Sequence, residues 1–355
     1  LYGSINERIK LIMAYTTINK SSDYFSSTIY TGNGSAGHSI TGVGHQPDFT
    51  WIKNRSATDG HHMYDAVRGV TKRIRSDTSA AEATTPNGLT SFNSDGFTVG
   101  TEEDVNTNNE NFASWNWKAG TGQGSSNTDG TINSTYTSAN TTSGFSIVSY
   151  TGNGTAGATV GHGLGVEPKV VMVKSVGAAQ DWRIYLSGLG SGASLILNTT
   201  GTSNSDVWNN TAPTSSVFSL GTNSNVNSNS ATYVAYCFAP IKGFSKFGVY
   251  DGNGNTDGAF VYTGFKPAWV LIKNKEATEA WFLYDNKRGL NGSMKALFPD
   301  ENAADGGAAD NIDLLSNGFK LRTAGAILNS AANFVYLALA EAPLVGSNNV
   351  PATAR

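Results

Sequence analysis

The chain has 355 residues, of which 39% are hydrophobic and only 14% charged, with a net charge of −3. That length suits two or three domains, each able to bury its own core, and the scattered Lys and Arg residues form no basic stripe of the kind that neutralises nucleic-acid phosphates. A single cysteine, Cys237, excludes an intrachain disulfide and a thiolate metal site, and no apolar run reaches the roughly 20 residues that a membrane-spanning helix needs.

In chain order, the first stretch is Leu1 to Ile12, ahead of a Met13-Ala14 that has the look of an ordinary start. Lys10 to Met13 is too short and too poorly flanked for a signal peptide, so residues 1–12 are expected to lie upstream of the usual start or to belong to an N-terminal arm spanning 1–23. From there the chain repeats itself. Tyr30-Thr-Gly-Asn-Gly34 recurs as Tyr150-Thr-Gly-Asn-Gly154 and Tyr250-Asp-Gly-Asn-Gly254, and a proline follows each tyrosine by 17, 18 and 17 residues at Pro47, Pro168 and Pro267. After each proline comes an apolar run closed by a lysine: Phe49 to Ile52 with Lys53, Val170 to Val173 with Lys174, Trp269 to Ile272 with Lys273. Seventeen residues past the prolines stand Tyr64, Tyr185 and Tyr284; Phe97, Phe218 and Phe319 stand 50, 50 and 52 residues past them. A last apolar segment opens at Phe112, Tyr233 and Phe334.

Composition says what these landmarks are. Ser, Thr, Asn and Gly take the place of the usual Lys and Glu, which disfavours long helices and favours tight turns. Proline is tolerated at a strand's start, where no ladder donor is needed, and the four apolar residues behind it read as a strand covered on both faces. The closing segments are aromatic and β-branched, as central strands are. With about seven to nine short strands per repeat, the expected fold class is all-β, three tandem antiparallel β-sandwich domains, with a barrel as the alternative. The expected boundaries are repeat 1 at 24–119, a polar Gly/Ser/Thr/Asn linker at 120–143, repeat 2 at 144–240, repeat 3 at 241–345 and a tail at 346–355. The linker accounts for a first repeat step of 120 residues against 100 for the second and would leave repeat 1 freer to tilt.

Candidates for chemistry are few. Glu102, Glu103 and Asp104 are the densest acidic cluster, and paired carboxylates serve glycoside hydrolysis, but repeats 2 and 3 carry no counterpart, so a solvated loop is expected. Asp65 and Arg68 recur as Asp285 and Arg288, while repeat 2 has Leu186 and Leu189; an ion pair holding a turn, replaced in one copy by apolar residues, fits both patterns. His61 and His62 could suggest a metal, but neighbours on a strand point to opposite faces, and His61 holds the register of Trp182 and Trp281. Asp251 to Asp257 resembles a calcium loop but has no Gly at the sixth place and Tyr262 where the bidentate Glu belongs, so a hairpin turn is expected. No nucleophile elbow or phosphate loop is visible, and no catalytic residue, metal or cofactor is assigned. Aromatic rings in polar surroundings suit sugar stacking; Trp208 and Tyr136 are the candidate ligand-binding residues.

The runs Gln46-Pro-Asp-Phe-Thr-Trp-Ile-Lys-Asn-Arg55, Gly161-His-Gly-Leu-Gly-Val-Glu-Pro-Lys169, Ser216-Val-Phe-Ser-Leu-Gly-Thr222, Gly243-Phe-Ser-Lys-Phe-Gly248 and Leu315-Ser-Asn-Gly-Phe-Lys320 resemble the repeat-bearing virion proteins of marine tailed bacteriophages, over nearly the whole chain from about Met13. The resemblance implies concanavalin-like or laminin-G-like sandwiches. It also implies a non-enzymatic, tail-fibre-like or appendage role in the virion, assembled in the host cytoplasm, with other virion proteins, further copies of the chain and a host-surface glycan as partners. It brings no catalytic residues. The stretch ahead of the first repeat is short where a tail fibre would carry a shaft, which keeps capsid decoration as an alternative. A bacterial lectin or adhesin and a polysaccharide depolymerase are the alternatives from other classes.

Overall fold

The computed structural model describes residues 15–201, 207–307, 309 and 311–343; residues 1–12 and the 346–355 tail lie outside them. The described chain is all-β, built from antiparallel sheets. Repeat 1 forms a large sheet with strands in the order Phe25–Thr31, Asn111–Trp117, Phe49–Asn54, His61–Asp65, Lys72–Arg75, Ala83–Thr84, and a small sheet in the order His38–Thr41, Gly96–Val99, Leu89–Asn93. Repeat 2 has a large sheet of Tyr136–Asn140, Phe145–Thr151, Thr232–Phe238, Val170–Ser175, Arg183–Leu186 and a small one of Ala158–Gly161 and Val217–Leu220. Repeat 3 has Ser245–Asp251, Asn333–Pro343, Phe265–Asn274, Phe282–Asp285 and, in its small sheet, Phe260–Tyr262, Gly318–Leu321, Ile312–Leu315. Matched residues take matched places: Phe49 pairs Trp117, Val170 pairs Phe238 and Trp269 pairs Leu339. Pro47 and Pro168 precede their strands as expected. Pro267 instead lies inside its strand, at a bulge where the register slips between Lys266 and Pro267; a residue with no N–H is accommodated where the ladder is already broken.

The strand after each proline is buried throughout because its two faces serve two cores. Ile52, Val171 and Val173 face their own small sheets, in clusters with Phe97 and Val99 and with Phe218 and Leu220. The alternate residues Phe49, Trp51, Val170, Met172, Trp269 and Leu271 join a core shared by all three repeats. At its centre Phe49, Trp117, Met172, Tyr236, Phe238, Trp269 and Leu337 line a small apolar cavity. The repeats therefore pack sheet to sheet to sheet.

Polar contacts close this arrangement in a cycle. Trp182 Nε1 of repeat 2 donates to the Arg75 carbonyl of repeat 1 at 2.8 Å, and Trp281 Nε1 of repeat 3 donates to the Ile196 carbonyl of repeat 2 at 2.8 Å. His61, in the same register in repeat 1, faces the Phe298 carbonyl of repeat 3. Two of the three register lysines also reach across seams. Lys174 Nζ donates to Ser79 O of repeat 1 at 3.0 Å and to Gln180 O at 2.7 Å. Lys273 Nζ donates to Thr200 O of repeat 2 at 3.0 Å and to Glu279 O. Lys53 Nζ donates to Asn54 O and Ala57 O, while its neighbour Arg55 pairs with Asp305 of repeat 3 at 2.8 Å. Burial pushes all three lysines down to about 8.

The Asp-x-x-Arg pairs are also seam elements. Arg68 bonds Asp65 at 2.6 Å and Glu82 at 3.1 Å; Arg288 bonds Asp285 at 2.6 Å and Asp305 at 2.9 Å. Each aspartate also accepts from the next repeat in the cycle: Tyr236 Oη reaches Asp65 at 2.6 Å and Trp115 Nε1 reaches Asp285 at 3.0 Å. At the remaining seam the aspartate register holds Leu186 and the donor register holds Leu337, opposite Leu271 as Tyr236 is opposite Met172. Polar faces polar at two seams, and apolar faces apolar at the third.

The polar linker departs from expectation. Its start is tied to repeat 1, with the Ala119, Thr121 and Gly122 amides donating to the Asp48 carboxylate at 2.8, 3.1 and 2.7 Å and Gln123 Nε2 donating to Val67 O at 3.0 Å. Its end, Tyr136–Asn140, is a strand on the edge of repeat 2, and Ile132 bridges to Val160 and is buried. Repeat 1 is thus clamped, not free to tilt. Gly, Ser, Thr and Asn make a flexible coil only where their amides find no edge to pair with, and here two edges are supplied.

Candidate functional site

His61 and His62 point to opposite faces as expected. His61 Nδ1 accepts from Trp51 Nε1 at 2.8 Å in the shared core, where burial holds the ring neutral and well below its ordinary value. His62 Nε2 lies 3.0 Å from Asp104 Oδ2 on the other face. The acidic loop is therefore not simply solvated. Asp104 touches His62 and lies 3.8 Å from Arg73, which also lies 3.8 Å from Glu102; the His62 contact, opposed by partial burial, holds the Asp104 carboxyl below its usual range. The contact spans loop to strand, with His62 completely buried, an arrangement that fastens the loop to the sheet. The 251–257 segment is also not a hairpin. Ser245–Asp251 and Phe260–Tyr262 lie in different sheets, and Asn329 staples the crossover by donating to Asn253 Oδ1, Asn255 O and Thr323 O, each at 2.8 Å. Asn106 and Asn227 do the same in their repeats. Among the described residues no group of three His, Cys, Asp or Glu side chains could hold a metal.

The two sugar-stacking candidates separate. Trp208 is 1% exposed and packs edge-on against Tyr185 at 6.0 Å; Asn209 and Asn210 after it are exposed, while the ring itself joins the core of repeat 2 and is not open to a ligand. Tyr136 is half-buried on the linker strand, opposite Ser149.

The exposed aromatic face lies elsewhere. On the three-residue strand Phe260–Tyr262, Val261 points inward over Phe319 while Phe260 and Tyr262 are 46% and 51% exposed. Residues two apart on a strand share a face at about 7 Å spacing, so the rings form one ledge. The equivalent positions, fixed by the partners Phe97 and Phe218, are Ser39 and Thr41 in repeat 1 and Thr159 and Gly161 in repeat 2. In repeat 2 the linker covers them, through Thr131 on Thr159 and Asn127 against Gly161. Repeat 3 alone leaves rings in the open. Around the ledge stand Lys246, whose Nζ lies 5.3 Å from the Tyr262 ring centre and donates to Tyr262 O at 2.7 Å; Lys320, paired with Asp257 at 2.8 Å; and Asn253 and Asn255 in the stapled loop. Sequence reading missed this ledge because Phe260-Val-Tyr262 looks like any apolar strand. The signal was available in the repeat register, where aromatic rings replace hydroxyls and glycine at outward positions.

A family model described as a domain of unknown function, DUF7483, matches residues 20–343. No curated protein and no solved structure matches the chain.

Proposed function

We propose that this chain, which belongs to the DUF7483 family, is a non-enzymatic surface protein of a bacteriophage particle, of the tail-fibre or appendage type, that docks to other virion proteins and grips a host-surface glycan on its Phe260–Tyr262 ledge. In this reading the three repeats are concanavalin-like or laminin-G-like sandwiches, and the residue runs that resemble marine phage virion proteins support the setting. The observation that carries the binding role is the ledge. Two adjacent open rings offer faces for pyranose C–H groups, and Lys246, Lys320, Asp257, Asn253 and Asn255 offer donors and acceptors for ring hydroxyls. Several perturbed titratable groups are engaged in holding the fold: His61, Lys174 and Lys273 at seams between repeats, and Lys53 on the Asn54 and Ala57 carbonyls of its own repeat.

Two measurements test this. Antibody labelling of purified particles by electron microscopy should place the chain on their surface, and absence from particles would remove the virion role. On a glycan array the chain should bind a defined subset of host-type glycans, with Phe260→Ala and Tyr262→Ala each weakening binding by about tenfold, the equivalent of roughly 1.4 kcal/mol for a lost stacking contact. Binding that survives the double substitution would remove the ledge, and release of reducing ends from host polysaccharide would turn the assignment to a depolymerase.

A further inference from the structure

Four positions around the small sheet of repeat 3 change character together. The register of Phe260, Tyr262, Lys320 and Lys246 holds Ser39, Thr41, Thr98 and Ser26 in repeat 1, and Thr159, Gly161, Ser219 and Ser146 in repeat 2. Hydroxyls and a glycine thus give way to two rings and two ammonium groups, and only in the copy whose rings stand open. The Phe260 ring leans over Gly318, where a Cβ would lie 3.1 Å from its Cε2, so the glycine makes room for the ring to lie along the sheet. The two ammonium groups are not equivalent. Lys320 Nζ already has a carboxylate, Asp257 at 2.8 Å, and the Gly258 carbonyl at 2.9 Å. Lys246 Nζ has the Tyr262 carbonyl at 2.7 Å and the Tyr262 ring centre at 5.3 Å, and among the described residues no carboxylate pairs with it. An ammonium has three donors, so two are left over. Burial, with no acid to offset it, lowers the Lys246 pKa; a partly desolvated charge without a counter-ion gains from an incoming anion.

We infer that the ledge takes an acidic sugar, a pyranose seated on the Phe260 and Tyr262 rings whose carboxylate or sulfate pairs with Lys246 Nζ. This rests on the ledge being a glycan site and adds which glycans it selects. At 5.3 Å from the Tyr262 ring centre, the ammonium is within reach of a substituent at the rim of a pyranose lying on that ring. A bond between two charges is stronger there than one between the ammonium and a hydroxyl. Charge also argues against the chain filling the ledge itself. Tyr15 Oη donates to Gly264 O at 3.3 Å, which brings the start of the described chain close to Tyr262. Yet residues 1–14 carry Arg8 and Lys10 against Glu7 alone, and residues 344–355 carry Arg355 and no acidic side chain. Lys242, exposed and 4.3 Å from the Tyr15 ring centre, adds positive charge on the same side. Segments of net positive charge are poor partners for a ledge flanked by lysines, and an anionic ligand is a good one.

The test probes the full chain against oligosaccharides in matched sets: neutral, uronate-bearing and sulfated. At least one acidic member should bind about tenfold more tightly than its neutral counterpart, as one added contact between charges would give. The margin should shrink in about 0.5 M NaCl, and whether the uronate or the sulfated member shows it identifies the acid. Lys246→Met should remove the margin while leaving neutral-sugar binding and the unfolding midpoint in place, and Lys246→Arg should keep it; Lys246→Gln serves if the methionine variant is unstable. Equal binding of neutral and acidic members overturns the acid preference and leaves the glycan ledge standing, whereas binding of neither removes both together. A margin that survives loss of the Lys246 charge puts the anion elsewhere and overturns the assignment. So does acidic-sugar binding that emerges only in Glu7→Gln, because Glu7 would then be the resident counter-ion of Lys246.

Discussion

Asp65 decides whether the seams are matched pairs or incidental contacts. Its carboxylate is fully buried and holds Arg68 at 2.6 Å and Tyr236 Oη at 2.6 Å, and Arg68 is itself almost wholly buried. Asp65→Leu leaves a buried guanidinium with Glu82 as its one remaining carboxylate among the described residues, on the partly exposed side, beside the Lys72 and Met63 carbonyls, and leaves the Tyr236 hydroxyl without its acceptor. Removing one partner of a buried pair costs about 3–5 kcal/mol, whereas replacing the whole set by apolar groups of similar volume is often close to neutral. The repeat 2–3 seam shows the replacement already made, with Leu186, Leu189 and Leu337 in the three positions. Asp65→Leu/Arg68→Leu/Tyr236→Leu should therefore recover most of the loss and fall within about 1–2 kcal/mol of the parent. Urea unfolding followed by tryptophan fluorescence and circular dichroism measures both, and the two probes should coincide because the repeats share one core. A triple variant as unstable as the sum of the single changes would refute the matching of donor and acceptor registers.

Two further outcomes follow from the seams. At the seam of repeats 2 and 3 a Cβ on Gly188 would lie 2.4 Å from Val249 Cγ1, so Gly188→Ala should destabilise by about 1–3 kcal/mol, as overpacking does, and Val249→Ala in the same chain should restore stability; a neutral Gly188→Ala would mean that the two repeats do not touch there. The three register lysines have folded values near 8 against an ordinary 10.5, so between those pH values the unfolded chain binds more protons and stability rises with pH. Buried tyrosines and Cys237, pushed up by burial, contribute the opposite slope at the alkaline end. The quantity to measure is therefore the difference in unfolding free energy between parent and Lys174→Met from pH 7.5 to 10.5; it should grow in the parent's favour as pH rises, and a difference that stays level would show that Lys174 is not desolvated.

The landmarks that were legible in the sequence are those whose spacing is imposed by strand geometry. The prolines, tyrosines and closing aromatic segments keep step because a one-residue slip would turn each strand's apolar face outward. What lay across the seams was not legible. A strand buried on both faces reads identically whether a helix, a sheet or another repeat covers it, so Phe49, Trp51 and Met172 declared their burial but not their neighbours. Lys53, Lys174 and Lys273 looked like the charged ends of strands; only the folded chain shows the carbonyls that surround them. Composition misled twice in the same way. The linker and the Asn209-Asn210 pair beside Trp208 are polar because they run over the surface, yet one supplies a strand and the other adjoins a core ring.

The repeat itself explains why a functional face need appear only once. Three copies of a fold bring three copies of every edge, and each edge invites pairing unless it is covered. Repeat 2 spends the linker on its two edges, at Phe145–Thr151 and at Ala158–Gly161. Repeat 3 presses Val249 against Gly188 and keeps its small-sheet edge open with Phe260 and Tyr262 outward, while in repeat 1 the turn Ser21–Asp23 packs against Phe25–Thr31 and against Asn333–Pro343 of repeat 3. The interior positions are constrained by the seams and cannot vary singly, so divergence is concentrated where a copy meets nothing. The aromatic ledge is one such departure, with Phe260 and Tyr262 standing outward where the other copies carry Ser39, Thr41, Thr159 and Gly161.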